Sequence, residues 1–93
     1  MTLLFKVEDV FDISGRGCVM APEIPFSSLD ISIRVRDRIQ LRTPEGDVLN
    51  TYIASIELVK PSDGSACRAA IVLPRELLKK DVPIGTEVYW VGQ

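Results

Sequence analysis

The chain has 93 residues, of which 46% are hydrophobic and 26% are charged, a composition typical of one globular domain with a single core. Its formal net charge of −2 excludes a strongly basic, general nucleic-acid binder and leaves only a local basic patch open. No apolar stretch has the length of a membrane-spanning helix, and Glu8 and Asp9 interrupt any signal-peptide core, so we expect a cytoplasmic protein.

The first predicted element is an alternating segment from Leu3 to Ile13, which indicates one half-buried strand. A turn at residues 14–17 follows, and residues 18–20 return as a second strand. We expect Gly15 or Gly17 to adopt a positive φ in this hairpin and Arg16 to be exposed at its tip, where it is a candidate for an RNA or partner contact.

The middle of the chain predicts a loop and two longer strands. The prolines within residues 22–28 favour a loop. Apolar residues alternate from Ile31 to Leu41, where Asp37 interrupts the pattern and predicts a kink or tight turn. Residues 43–47 form a turn by composition, and a second alternating strand runs from Thr51 to Leu58.

The last third predicts a strand at residues 68–73, one or two helical turns at residues 74–81 and a final strand at residues 86–91. Six or seven strands with short loops indicate an all-β barrel or sandwich that spans residues 1–93 as one domain. The predicted core consists of Phe5, Val7, Phe11, Ile13, Val19, Ile39, Leu41, Ile56, Leu58, Ile71 and Leu73.

The segment "FKVEDVFDISGRGCVM" at residues 5–20 resembles the opening of the second domain of translational GTPases such as elongation factor Tu, which reads close to "V-E-D-V-F-x-I-x-G-R-G". Weaker similarity extends over "IRVRDRIQL" (33–41), "YIASIEL" (52–58) and "VPIGTEVY" (82–89). The resemblance implies a closed, six- or seven-stranded Greek-key barrel of the translation-protein type, here as a stand-alone domain.

The chain departs from the family pattern in four ways. Arg36 stands where the family usually has a glycine before Asp37, "APE" (21–23) replaces a threonine-glycine-arginine run, and "PSDGSACRA" replaces the family's usual acidic, glycine-containing loop. The GTPase domain is missing, so the resemblance implies neither GTP binding nor GTP hydrolysis by this chain, and it does not imply delivery of aminoacyl-tRNA.

Two sets of residues are candidates for RNA or partner contacts. In the resembled family a glutamate lies against the terminal adenosine of tRNA and a basic residue follows three places on. Glu57 and Lys60 occupy these positions, although both also fit an ordinary solvent-facing strand and turn. The second set is an arginine series that would bind phosphates or an acidic partner if it lined one strand face. A solvated, ion-paired edge is the alternative, and a turn at Asp37 would split the series. The series consists of Arg34, Arg36, Arg38 and Arg42.

Two aromatic residues near the C-terminus are candidates for a partner surface. Tyr89 and Trp90 point to opposite faces of the last strand, so we expect one of the two rings to be at least partly exposed for a partner.

Catalytic and metal chemistry find little support. The chain has no histidine, and we expect Cys18 and Cys67 to be reduced thiols without CxxC spacing, which excludes a credible zinc site. We therefore expect no enzyme activity, no cofactor and no metal.

The sequence predicts a non-catalytic binding module, with a protein partner favoured. Binding of RNA, either a tRNA end or ribosomal RNA, is the alternative. A third reading is that the chain is a domain excised from a larger translational GTPase.

Overall fold

The described part of the chain consists of short strands. A computed structural model describes residues 1–15, 17–25, 33–60, 62–64 and 67–92. Within these ranges Lys79–Asp81 form one turn of 3-10 helix, and no helix is long and apolar enough to cross a membrane. The all-β prediction is confirmed. The strands are β1 (Thr2–Lys6), β2 (Asp9–Ile13), β3 (Gly17–Ala21), β4 (Ile24–Pro25), β5 (Arg38–Arg42), β6 (Val48–Tyr52), β7 (Ser55–Val59), β8 (Arg68–Val72) and β9 (Glu87–Gly92).

The strands form two antiparallel sheets around one hydrophobic core. The first sheet has four strands in the order β1–β9–β5–β6. The second has five strands, with β7 on one side of β8 and with β3 and then β2 on the other. Strands β3 and β4 lie end to end along β8, because Val19 is opposite Val72 and Ile24 is opposite Ala69. A closed barrel is more specific than two sheets and stays a prediction.

The chain passes from the first sheet to the second at Val7 and Glu8. The amide of Val7 donates to the Thr86 carbonyl at 2.7 Å, in the first sheet, and the amide of Glu8 donates to the Ala21 carbonyl at 2.8 Å, in the second. The predicted single strand from Leu3 to Ile13 is therefore two strands joined by a bend.

A second bend lies between β6 and β7. The amide of Ile53 donates to the Asp37 carbonyl at 3.0 Å, and the amide of Ala54 donates to the Val72 carbonyl at 2.9 Å. The predicted strand from Thr51 to Leu58 likewise changes sheets at this point. Both bends keep the backbone hydrogen-bonded while the chain turns from one sheet into the other.

Each bend changes which alternate residues face the core. Val7 and Val10 are both buried although they are three residues apart, so Phe11 points outward and is 53% exposed. Ile53 is fully buried, whereas Leu58, near the end of β7, is 65% exposed. The predicted core positions Phe11 and Leu58 are wrong for these reasons.

The rest of the predicted core is largely confirmed. Val19 is the third wrong position and is half-buried, because the hairpin places it opposite Phe11 on the side of the second sheet that points away from the core, while Cys18 and Met20 fill the core. Ile13 is only half-buried. Phe5 and Ile56 are partly buried and pack against the core. The fully confirmed positions are Val7, Ile39, Leu41, Ile71 and Leu73.

Three predicted elements differ from the structure. Residues 74–78 are not helical, so the predicted helix shrinks to the single turn at Lys79–Asp81. Ile24 and Pro25 pair with β8 as a short strand where a loop was predicted. The predicted strand from Ile31 falls partly on residues 26–32, which lie outside the described residues, and β5 begins only at Arg38.

The hairpin between β2 and β3 has the predicted glycine geometry. Gly15 has a φ of 79° and Gly17 a φ of 109°, which confirms positive φ at both positions. A Cβ atom at Gly17 would lie 2.5 Å from the carbonyl oxygen of Leu73, whereas one at Gly15 would have no neighbour within 4 Å. Arg16, predicted at the tip, lies outside the described residues.

Gly17→Val is expected to lower the free energy of unfolding by about 1–3 kcal/mol, because it combines a disfavoured φ with a steric overlap on backbone. Gly15→Val is the matched control, with a loss of about 1 kcal/mol from backbone conformation alone. Urea unfolding followed by Trp90 fluorescence measures both values. Equal losses for the two variants would contradict the close approach of Gly17 to Leu73.

Candidate functional site

The predicted site residues are distributed over several places. Arg34 and Arg36 lie in the turn before β5, and Arg38 and Tyr89 lie on the outer side of the first sheet. Glu57 lies on β7 in the second sheet. They do not converge on one site.

Asp37 turns the chain and splits the arginine series. Its side chain is 4% exposed, and its Oδ2 atom accepts hydrogen bonds from the Arg34 amide at 2.9 Å and from Trp90 Nε1 at 2.9 Å. The amide of Asp37 in turn donates to the Arg34 carbonyl at 3.1 Å. The half-buried Trp90 therefore connects β9 to this turn through a hydrogen bond.

Arg36 has a strained backbone. Its φ is 79°, and it is the one non-glycine residue with a positive φ in the described ranges. The Arg36 side chain is exposed, while its amide donates to the Ile53 carbonyl at 2.8 Å. The turn therefore demands a conformation that glycine adopts more readily than arginine.

The side of the four-stranded sheet that points away from the core forms a mixed basic and apolar surface, called here the outer face. Ile39 and Leu41 point inward, so their neighbours on β5 point outward, and the strand register assigns the rest. The outer face consists of Leu3, Lys6, Arg38, Gln40, Arg42, Val48, Asn50, Tyr52, Glu87 and Tyr89.

Charge and exposure set the outer face apart from the chain as a whole. It has three cations and one anion, a balance of +2, on a chain whose net charge is −2. Leu3 is 50% exposed, Val48 52% and Tyr52 40%, so large apolar side chains lie among the basic groups.

A row of contacts crosses the outer face and fixes Arg42 at its centre. Arg42 Nε donates to Gln40 Oε1 at 2.8 Å, and Gln40 Nε2 donates to Asn50 Oδ1 at 3.0 Å. The Arg42 guanidinium lies 4.5 Å from the centroid of the Tyr89 ring, and the Tyr89 hydroxyl donates to Glu87 Oε1 at 3.4 Å. Tyr89 is thus half-buried against Arg42, and Trp90 is half-buried as well, so each ring is partly exposed, as expected for at least one of them.

Glu57 borders a cleft of about 390 Å³ on the second sheet. The apolar part of the cleft comes from Ala54, Val72 and Pro74, and the rim is polar. Lys60 is exposed beyond the end of β7 and is not among the lining residues. The cleft is lined by Tyr52, Ala54, Ser55, Glu57, Val72, Pro74, Arg75 and Glu76.

Arg75 supplies the cation of this cleft and also borders a second cleft of about 420 Å³ beside the β2–β3 hairpin. Sequence reasoning missed Arg75 and Tyr52 as site residues. Arg75 was missed because residues 74–81 were predicted to be a helix. Tyr52 was missed because only the bend at Ile53 and Ala54 places it at the same cleft as Glu57. No local sequence signal marks either contact.

Cys18 has the chemistry of a buried thiol. Its side chain is fully buried, and Sγ donates to Asp12 Oδ1 at 3.2 Å. Burial, with the hydrogen bond and negative charge of Asp12, raises the pKa of Cys18 from 9.0 to about 11. Cys18 and the exposed Cys67 are both free thiols, as predicted.

The chain matches no protein-family model, no curated protein and no solved structure. Within the described ranges, no group of three or more metal-ligating side chains is placed to hold a metal ion. The geometry of its own residues is therefore what supports a function.

Arg36→Gly is expected to raise the free energy of unfolding by about 1 kcal/mol, because glycine removes the cost of a left-handed backbone. Arg38→Gly is the matched control on β5, where glycine weakens a strand by about 0.5–1 kcal/mol. Chemical denaturation of the two variants measures both effects. A destabilising Arg36→Gly would show that the arginine side chain has a structural role that outweighs the backbone strain.

Proposed function

We propose that this chain is a non-catalytic binding module whose outer face binds an acidic segment of a partner protein. The observation that carries the proposal is the combination on that face of Arg38 and Arg42 with the apolar side chains of Leu3, Val48 and Tyr52. Arginine and tyrosine are enriched in protein interfaces, and acidic residues are depleted there. An acidic partner complements the positive balance of the face.

Arg42 is the proposed anchor for a carboxylate. Its hydrogen bond to Gln40 and its contact with the Tyr89 ring hold the guanidinium in place before binding, so little side-chain entropy is lost on association. The two terminal nitrogens of Arg42 donate no hydrogen bond to another described residue. Two parallel N–H donors fit the two oxygens of a carboxylate.

A protein is favoured over RNA on this face. Proteins that bind single-stranded nucleic acid offer accessible aromatic rings for base stacking. Here Arg42 covers one side of the Tyr89 ring, which leaves Tyr52 as the exposed ring of the outer face, and exposed aliphatic side chains such as Leu3 and Val48 contribute neither stacking nor phosphate contacts. Burying those aliphatic groups against a protein is the favourable alternative.

The chemistry of two residue types supports a binding role. The chain has no histidine, and the raised pKa of Cys18 keeps that buried thiol protonated and unreactive near neutral pH.

We also propose that the two sheets are one closed, six-stranded barrel related to the second domain of translational GTPases. The two bends support closure, because they link the sheets through continuous hydrogen bonding at Val7–Glu8 and at Ile53–Ala54. The positive φ of Arg36 supports the relationship, since the family has glycine at that position. The ring of strands would run β1–β2, β9, β5, β6–β7, β8 and β3–β4.

Binding of an RNA end is the second candidate function, and the cleft beside Glu57 favours it. An apolar wall of Val72 and Pro74 with a polar rim that includes Glu57 and Arg75 has the size and character of a site for a small planar group. Arg75 rather than Lys60 would contact the phosphate in this arrangement.

Arg42→Glu is expected to weaken partner binding at least about tenfold, because it replaces the proposed anchor by a charge that repels an acidic segment. A photoreactive residue in place of Leu3 identifies the bound segment by cross-linking. Calorimetric titration of the purified segment then measures affinity for the natural chain and for the variant.

Arg68→Glu is the matched control, since it makes the same charge change at an exposed position of the second sheet and should leave affinity unchanged. Fluorescence anisotropy with short single-stranded RNA tests the second candidate. Tight RNA binding that weakens with salt by a slope of about −0.7 per phosphate, and that is lost in Arg75→Ala but kept in Arg42→Glu, would favour RNA and contradict the protein partner.

A further inference from the structure

Strand β6 has no described strand on its second side, because β8 pairs only with the β7 half of the continuous β6–β7 segment. It pairs along its whole length with β5, from Val48 opposite Arg42 to Tyr52 opposite Arg38. No other described strand pairs with it. An edge of this kind presents unpaired amides and carbonyls that form hydrogen bonds with water or with another strand.

The hydrogen bonds at both ends of the β5–β6 hairpin show which backbone groups of β6 point away from β5. The Thr43 amide donates to the Asp47 carbonyl at 2.9 Å, and the Ile53 amide donates to the Asp37 carbonyl at 3.0 Å. Bonded and non-bonded pairs alternate in an antiparallel ladder, so Leu49 and Thr51 bond to β5 between these two points. The backbone groups of the alternate residues Val48, Asn50 and Tyr52 therefore face the open edge.

Strand β6 has in its own sequence none of the protecting features of the other strands at the sheet borders, and Lys80, Asp81 and Pro83 share a cleft of about 430 Å³ with its residues Val48 and Leu49. Strand β1 has Lys6 and an irregular register between Leu3 and Phe5. Strand β2 has two aspartates, and β7 has Glu57. Strand β6, with the sequence VLNTY, has no charge, no proline and no bulge. Charges, prolines and bulges are the devices that keep exposed edges from pairing.

We infer that β6 pairs antiparallel with β6 of a second copy of this chain, around a two-fold axis at Asn50. This register places Val48 of one copy opposite Tyr52 of the other and places the two Asn50 residues opposite each other. All the outward backbone groups of the strand then exchange hydrogen bonds across the axis. The two four-stranded sheets become one continuous sheet.

A second copy suits this edge because the edge is complementary to itself. The two-fold register brings no like charges together, since the strand has none. It creates two pairs of an aromatic with a β-branched side chain, which are among the favourable cross-strand pairs. A two-fold axis is also the commonest symmetry of homo-oligomers. The pairing uses the backbone groups of β6 and goes beyond the binding function proposed above, although it places the outer-face side chains of Val48, Asn50 and Tyr52 at the two-fold axis.

Sedimentation velocity over a dilution series and amide hydrogen exchange test the inference together. The natural chain is expected to change from dimer to monomer on dilution. Exchange at the Val48, Asn50 and Tyr52 amides should be slow only in the dimer, whereas exchange at Leu49 and Thr51 should be slow at every concentration. A chain that is monomeric throughout, with fast exchange at the three outward amides, would overturn the inference.

Asn50→Pro and Asn50→Asp separate pairing from folding. Proline removes an outward donor that β5 does not use, and aspartate keeps the oxygen that Gln40 bonds but places two like charges on the axis. Both variants are expected to stay folded by circular dichroism and to be monomeric where the natural chain is dimeric. Thr2→Asp is the matched control, because it adds the same negative charge at an exposed position of β1, and this variant should stay dimeric. A dimer that persists in Asn50→Pro would show that another surface forms it.

Discussion

The structure depends on two strands that leave one sheet and enter the other without losing backbone hydrogen bonds. At Val7 and Glu8, and again at Ile53 and Ala54, one amide bonds in the first sheet and the next amide bonds in the second. The backbone thus turns through the core region with its polar groups paired, which avoids the cost of burying them unsatisfied. Both sheets can then cover one core, and a chain of 93 residues has little apolar surface for more than one.

The bend at Ile53 and Ala54 also determines where the candidate surfaces lie. It leaves Tyr52 on the outer face, opposite Arg38, and at the border of the cleft that contains Glu57. The carbonyl of Asp37 accepts the Ile53 amide, and its carboxylate holds Trp90, so the same residue connects the turn, the bend and β9. The rigid outer face and the cleft therefore meet at one corner of the fold.

Much of the fold, and less of the site, could be predicted from the sequence. Period-two alternation and glycine-rich turns identify the strands and the positive φ at Gly17 because these signals are local. The bends contain no glycine or proline, so the alternating pattern of the sequence does not mark them. The set of alternate residues that faces the core changes at each bend, and Phe11 is therefore assigned to the wrong face. The contact of Arg42 with Tyr89 depends on the pairing of β5 with β9, which are far apart in sequence. Only the tertiary fold determines that register.

Amide hydrogen exchange at the four bend residues, followed by NMR, examines the continuous hydrogen bonding directly. If the strands cross between sheets as described, the amides of Val7, Glu8, Ile53 and Ala54 will exchange as slowly as those of the central strands β5 and β8, at the free energy of global unfolding. Exchange at the rate of an exposed loop at either bend would mean that the sheets are separately paired and that the bends are ordinary connections. The proposed six-stranded barrel would then be contradicted.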